Sequence, residues 1–204
     1  MKEYLDRSIP YAEYVAMIDR LLGEGKTTGT NQSGAMVGYG RLNRQRITRL
    51  EKTIDLDASV GETIRRNARL MIWLILTEGW CGDAAQNVPV IEKIAGESDK
   101  IETRYILRDE NLDLMDRFLT GGARSIPKLI AIDAETLEVV GSWGARPQAA
   151  QDLFLKMKAD VTEKAVILEE MQRWYNADKG RSLQSEFVEL IGQWNLKERS
   201  ADAN

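Results

Sequence analysis

The sequence predicts an α/β fold: a central mixed sheet flanked by helices, with helices added before it and a helical hairpin after it. Three observations carry this. A continuous apolar run, Leu70 to Leu76, is too short for a helix of its own and reads as a strand covered on both faces. It breaks at Glu78-Gly79 and passes through Trp80-Cys81-Gly82-Asp83 into a helix with Ala84, Val88, Ile91 and Ile94 on its inner side. Downstream, the patterns run strand, helix, hairpin, helix, the order of a parallel central pair with an antiparallel edge.

Taken in order, Tyr11, Tyr14, Val15, Ile18, Leu21 and Leu22 recur at helical spacing, with Pro10 at the start and Gly23 after the end. Gly23 to Gly40 is dominated by Gly, Thr, Ser and Asn and reads as a loop. Its Gly25-Lys26-Thr27 matches the end of a phosphate loop. However, the glycine needed five positions earlier is Arg20, and a helix precedes it rather than a strand. A connector is the better reading, and a third reading lays this loop over the thiol. A second helix from about Leu42 to Thr53 points Leu42, Ile47, Leu50 and Ile54 inward. Four arginines (Arg41, Arg44, Arg46, Arg49) lie outside, read as a solvated face rather than an anion patch. Asp57 or Ser59 caps a short helix through Arg66.

After the Cys81 helix, Ile101 to Leu107 reads as a strand, and Asn111 to Leu119 as a short helix ended by Gly121-Gly122. Lys128 to Asp133 and Leu137 to Trp143 form a hairpin across Ala134-Glu135-Thr136. From Pro147 a single long helix is expected, carrying Leu153, Met157, Val161, Leu168 and Tyr175. Asp178-Lys179-Gly180 breaks it, and Leu183, Phe187, Leu190, Ile191 and Trp194 stripe a last helix. The closing SADAN reads as disordered. Residues 1–57 are thus an N-terminal helical extension with a Gly-rich loop, 58–160 the central domain, and 161–204 a C-terminal helical extension. The apolar stripes call for packing on the same chain, with a homodimer surface as the alternative.

Composition narrows the function. A formal charge of −4 argues against a nucleic-acid partner, which selects a basic stripe. No apolar run approaches the roughly 20 residues of a membrane span, and MKEYLDRSIPYAEY has no signal-peptide core. One cysteine without an export signal points to the cytoplasm. The absence of histidine excludes a histidine base, a Ser-His-Asp or Cys-His nucleophile and a histidine metal site. No metal and no cofactor are expected.

Trp80-Cys81-Gly82-Asp83-Ala84 resembles the Trp-Cys-Gly-Pro-Cys signature of thioredoxins, likewise following a hydrophobic strand. Some 45 residues later, Arg124-Ser125-Ile126-Pro127-Lys128-Leu129 resembles the Ile-Pro step, with a cis proline, that faces the thiol in that fold. Asn43 to Thr53, Trp143 to Pro147 and Trp174 to Gly180 are similar to bacterial thioredoxin-family proteins with a helical extension at each end. The resemblance implies a thioredoxin-like fold, with Cys81 as the thiol; Asp83, read from its own chemistry, is either a first-turn carboxylate that complements the helix dipole or a carrier of a proton to or from Cys81. The resemblance further implies that Trp80, Gly82, Ile126 and Pro127 form the surface that meets a substrate. It also marks two departures. Asp83 and Ala84 stand where the proline and the resolving cysteine would be, and Ile75 where thioredoxins carry a buried aspartate.

Two functions follow from these residues. In one, the protein is a monothiol disulfide oxidoreductase exchanging with protein or low-molecular-weight thiols and disulfides, released by a second external thiol. In the other, it is a catalytically degenerate module that holds a protein or peptide beside Ile126-Pro127. A helix N-terminus favours the thiolate of Cys81, and the negative charge of Asp83 opposes it.

Overall fold

The computed structural model describes residues 1–66, 69–160 and 163–197. Helices α1 (Lys2–Arg7), α2 (Tyr11–Gly23), α3 (Gly34–Thr53) and α4 (Ala58–Arg65) precede the first strand, β1 (Met71–Thr77). Then follow α5 (Gly82–Ala95), β2 (Ile101–Leu107), α6 (Leu112–Met115), β3 (Lys128–Asp133) and β4 (Val139–Trp143). Three helices close the chain: α7 (Gln148–Ala159), α8 (Lys164–Asp178) and α9 (Arg181–Leu196). The sheet order is β2-β1-β3-β4, with β1 parallel to β2 and antiparallel to β3, and β4 antiparallel to β3. This is the thioredoxin-like α/β architecture with added helices. Among the described residues, no helix is long and apolar enough to cross a membrane.

β1 is central because its residues can be buried on both faces: Trp73, Leu74, Ile75 and Leu76 are all inaccessible to solvent. Trp73 meets Phe187 and Trp194 of α9 edge-on at 5.2 and 6.0 Å, and Tyr105 of β2 stacks on Tyr14 of α2 at 5.1 Å. Helices from both ends of the chain therefore share the core of the sheet. One buried ion pair, Arg69 with Asp133 at 3.4 Å, ties the entry of β1 to the end of β3. Arg69 also donates to the carbonyl of Trp194, at 2.9 Å.

The structure corrects five readings of the sequence. The loop after α2 is shorter than Gly23 to Gly40, because α3 already starts at Gly34. Its glycines are poor helix formers, but Val37, Gly40, Asn43 and Ile47 are buried at helical spacing, and tertiary packing overrides propensity. At Gly40 a Cβ would stand 2.9 Å from the Thr27 hydroxyl, so glycine lets α3 close onto that loop. Leu42, expected inside, is 43% exposed. The helix expected over Asn111 to Leu119 lasts only Leu112–Met115, and Gly121 and Gly122, both at positive φ, turn the chain into a bridge between Thr120 and Ala123. β4 starts at Val139 rather than Leu137, because Leu137 sits in the left-handed region at φ 59°, outside strand geometry.

The fifth correction concerns the tail. Instead of one helix from Pro147, α7 and α8 fold against each other, burying Ala150, Met171 and Tyr175 with Leu153, Phe154 and Met157 packed around them. Two apolar stripes cover each other in this way, which a single projecting helix cannot do. Val161 and the closing SADAN lie outside the described residues.

Candidate functional site

Cys81 occupies the N-cap of α5. Its sulfur accepts the Ala84 N–H at 3.4 Å and donates to the Ile126 carbonyl oxygen at 3.3 Å. The Ile126–Pro127 peptide is cis, and both residues are buried. Gly144 packs on the Pro127 carbonyl so closely that no Cβ fits, which ties the end of β4 to the same step. Cys81 is only 8% exposed. Burial, and then the charge of Asp83, push its thiol up to about 12, against the smaller opposing effects of the Ala84 N–H and Arg146. The helix terminus is thus outweighed, and the resting sulfur is a protonated thiol.

Asp83 is held rather than free. One oxygen pairs with the Arg146 guanidinium at 2.6 Å, and the other accepts the Tyr175 hydroxyl at 2.8 Å. Asn87 bridges the same group, donating to the Asp83 carbonyl at 2.9 Å and to the Tyr175 oxygen at 3.1 Å. Arg146 lies flat over the Phe154 ring, 4.0 Å from its centroid, and donates to Gln151. In the sequence Arg146 appears only within the Trp143 to Pro147 segment, and Tyr175 only on an apolar stripe. The structure brings both to the thiol turn. Spacing alone gives no signal for this, because their position depends on the α7–α8 hairpin.

The N-terminal extension grips the turn from the other side. Both backbone groups of Gly79 are taken by its residues: the N–H is accepted by the Thr28 hydroxyl at 2.8 Å, and the carbonyl accepts from Asn43 at 3.1 Å. Glu78 is fully buried, and its Oε1 accepts the Asp109 N–H at 2.9 Å. Its burial raises the carboxyl to about 7. Arg108 stacks on Trp80 at 4.9 Å and pairs with Asp109 at 2.6 Å, which fixes the indole beside the thiol. Arg46, read as part of a solvated face, donates to Asn43 at 2.9 Å. Its guanidinium lies 3.6 Å from where a Cβ on Gly82 would stand.

Between α3, the thiol turn and the α7–α8 hairpin lies a cavity of about 580 Å³. Cys81, Trp80, Gly82 and Asp83 form its floor; Ile126 and Pro127 stand behind the sulfur and do not line it. This volume is within the range of small-ligand sites. The arrangement offers a thiol, a flat aromatic wall and a fixed carboxylate–guanidinium pair around one space of small-molecule size.

A family model described as Thioredoxin matches residues 29–164, well over half of the chain. Two solved structures share the fold. One is a protein of unknown function from Pseudomonas aeruginosa, 21% identical, with 90% of this chain and 98% of that chain covered and a TM-score of 0.58. The other is an HIV epitope-scaffold with the same identity and coverage and a TM-score of 0.56. No curated protein matches the chain. The stretch matched by the family model takes in the sheet, the thiol turn, α3 and α7, and so carries Cys81, Asp83, Ile126, Pro127, Arg46 and Arg146, whereas Tyr175 of α8 lies beyond it. The chain belongs to the thioredoxin family.

Proposed function

We propose that the protein carries out thiol–disulfide exchange through Cys81 alone. The observation behind this reading is the position of the sulfur: at the N-terminus of α5, bonded to the carbonyl that precedes Pro127, and on the floor of an open cavity. In the first step Cys81–SH and R–S–S–R′ give Cys81–S–S–R and R′–SH. The sulfur–sulfur bond of the substrate breaks, the new one forms at Cys81, and the thiol proton leaves with R′–S. Ala84 offers no second sulfur, so a thiol from solution must release R as R–S–S–R″ and restore Cys81–SH. Asp83, held by Arg146 and Tyr175, acts through its charge on the thiol rather than as a free acid. Partners are protein or low-molecular-weight thiols and disulfides, and a lone reduced thiol suits the cytoplasm.

Brief exposure to glutathione disulfide should add one glutathione to the wild type and none to Cys81→Ser, read by intact mass. The adduct should outlast that of a two-cysteine thioredoxin, whose resolving thiol acts at very high effective concentration. Sustained insulin reduction with thioredoxin reductase alone, lost in Cys81→Ser, would contradict the monothiol reading. A second reading, a binding module without turnover, is favoured by the burial and protonation of Cys81. It takes over if no adduct forms even near pH 12, where the thiol ionises.

A further inference from the structure

Three cations face the cavity at Cys81, and they are not equally engaged. Arg146 is neutralised by Asp83 at 2.6 Å. Glu169, the other carboxylate on the wall, is taken by Arg173 at 2.6 Å. Arg46 has no carboxylate within ion-pair distance among the described residues; its one hydrogen bond goes to the neutral Asn43. Burial, and then the neighbouring Arg49, lower its ordinary pKa, and the Asp83 charge opposes them only in part. Lys164 adds a second cation on the opposite wall, also without a carboxylate partner among the described residues. The rest of the lining is mostly apolar, with Met36, Tyr39 and Leu42 on α3 facing Phe154, Ile167 and Leu168 on the hairpin. Tyr39, Leu42 and Leu168 are large side chains left 38%, 43% and 47% exposed around this space.

We infer that the disulfide accepted at Cys81 is a small amphipathic anion, its carboxylate paired with Arg46 and its apolar body laid between α3 and the α7–α8 hairpin. This rests on the thiol-exchange reading and narrows it. The two helical walls come from outside the sheet and leave a pocket the size of a small molecule, not an open groove for an extended chain. Arg46 sits beside Gly82, one residue from the sulfur, so a carboxylate bound there carries its disulfide to the thiol. The helix N-terminus at Gly82 adds favourable potential for the same anion. The chemistry is as above: the anionic half stays on Cys81 as a mixed disulfide, the other half leaves as a thiol, and a free thiol in solution restores Cys81.

The test compares two aromatic disulfides of similar bulk. One is bis(nitrobenzoate) disulfide, with a carboxylate on each ring; the other is neutral dipyridyl disulfide. The chain has a single cysteine, so released chromophore reports on Cys81 alone. Arg46→Gln should lower the ratio of the anionic to the neutral rate about tenfold, the worth of one charge-assisted hydrogen bond. Arg46→Lys should keep most of it, and added salt should lower the wild-type ratio toward that of Arg46→Gln. An unchanged ratio in Arg46→Gln overturns the inference while leaving thiol exchange standing. If neither disulfide reacts, thiol exchange fails instead, and binding of nitrobenzoate itself to Cys81→Ser decides the rest. Saturable binding weakened about tenfold by Arg46→Gln keeps the anion pocket, and no binding removes it.

Discussion

At the scale of single residues, the chemistry of the site is set by what surrounds one sulfur. Position at a helix N-terminus lowers a thiol's pKa in an exposed turn, but here burial and the Asp83 carboxylate win. Asp83→Asn removes the repelling charge and leaves Arg146 as an unopposed cation nearby. The thiol should then ionise more easily, and alkylation by iodoacetamide at about pH 8 should speed up about tenfold for each unit by which its pKa falls. The pH profile of the rate checks this. An unshifted profile would mean that burial alone holds the proton. Cys81, Gly82, Ile126 and Pro127 were legible in the sequence because a strand, a turn and a helix are local, and the Ile-Pro step is a short motif. Arg46, Asn43, Thr28, Arg146 and Tyr175 were not. Each belongs to an element whose position over the turn is fixed only by long-range packing.

At the scale of elements, the sheet was legible and the helices around it less so. Alternation and apolar runs identify strands directly, whereas α3 begins among glycines and α7–α8 carry one continuous-looking stripe. The docking of α9 shows how close these contacts are. Gly141 of β4 lies against the indole of Trp194, and a Cβ there would overlap the ring. Trp194 in turn meets Trp73 and Phe187 edge-on, so it has no free rotamer to retreat into. Gly141→Ala should therefore cost about 1–3 kcal/mol, the usual penalty of overpacking. Urea unfolding measures it. A cost near zero would mean that α9 can shift off β4 without loss.

At the scale of the whole molecule, stability should depend on pH in a way that a surface-charge count does not suggest. Glu78 is fully buried, one of its oxygens has no hydrogen-bond partner, and its carboxyl is raised from an ordinary 4.5 to about 7. The Asp109 charge adds to the rise, while the Thr28 hydroxyl, the Asp109 N–H and Arg108 oppose it. A folded pKa above the unfolded one means that the native state holds the proton longer. The contribution is complete below pH 4.5 and is lost as pH rises through about 7. Its size is on the order of 3 kcal/mol. Glu78→Gln should remove this loss, so the drop in urea midpoint between about pH 5 and about pH 8 should flatten in the variant. An equal drop in both proteins would assign it to other groups. At higher pH, Cys81 acts in the same direction between 9 and about 12, and Lys128, buried and lowered from 10.5 to about 8, acts in the opposite one.

The holding of Asp83 by α8 also has a consequence in time. The hydroxyl that holds Asp83 belongs to Tyr175, 92 positions further along the chain. A ribosome adding about 5–20 residues per second needs roughly 5–20 s to travel that distance. During this interval the thiol turn has been made, but the helix that holds Asp83 and walls the cavity does not yet exist. Each new copy of the protein therefore passes through a period in which Asp83 lacks its Tyr175 partner and the cavity beside Cys81 lacks its α8 wall.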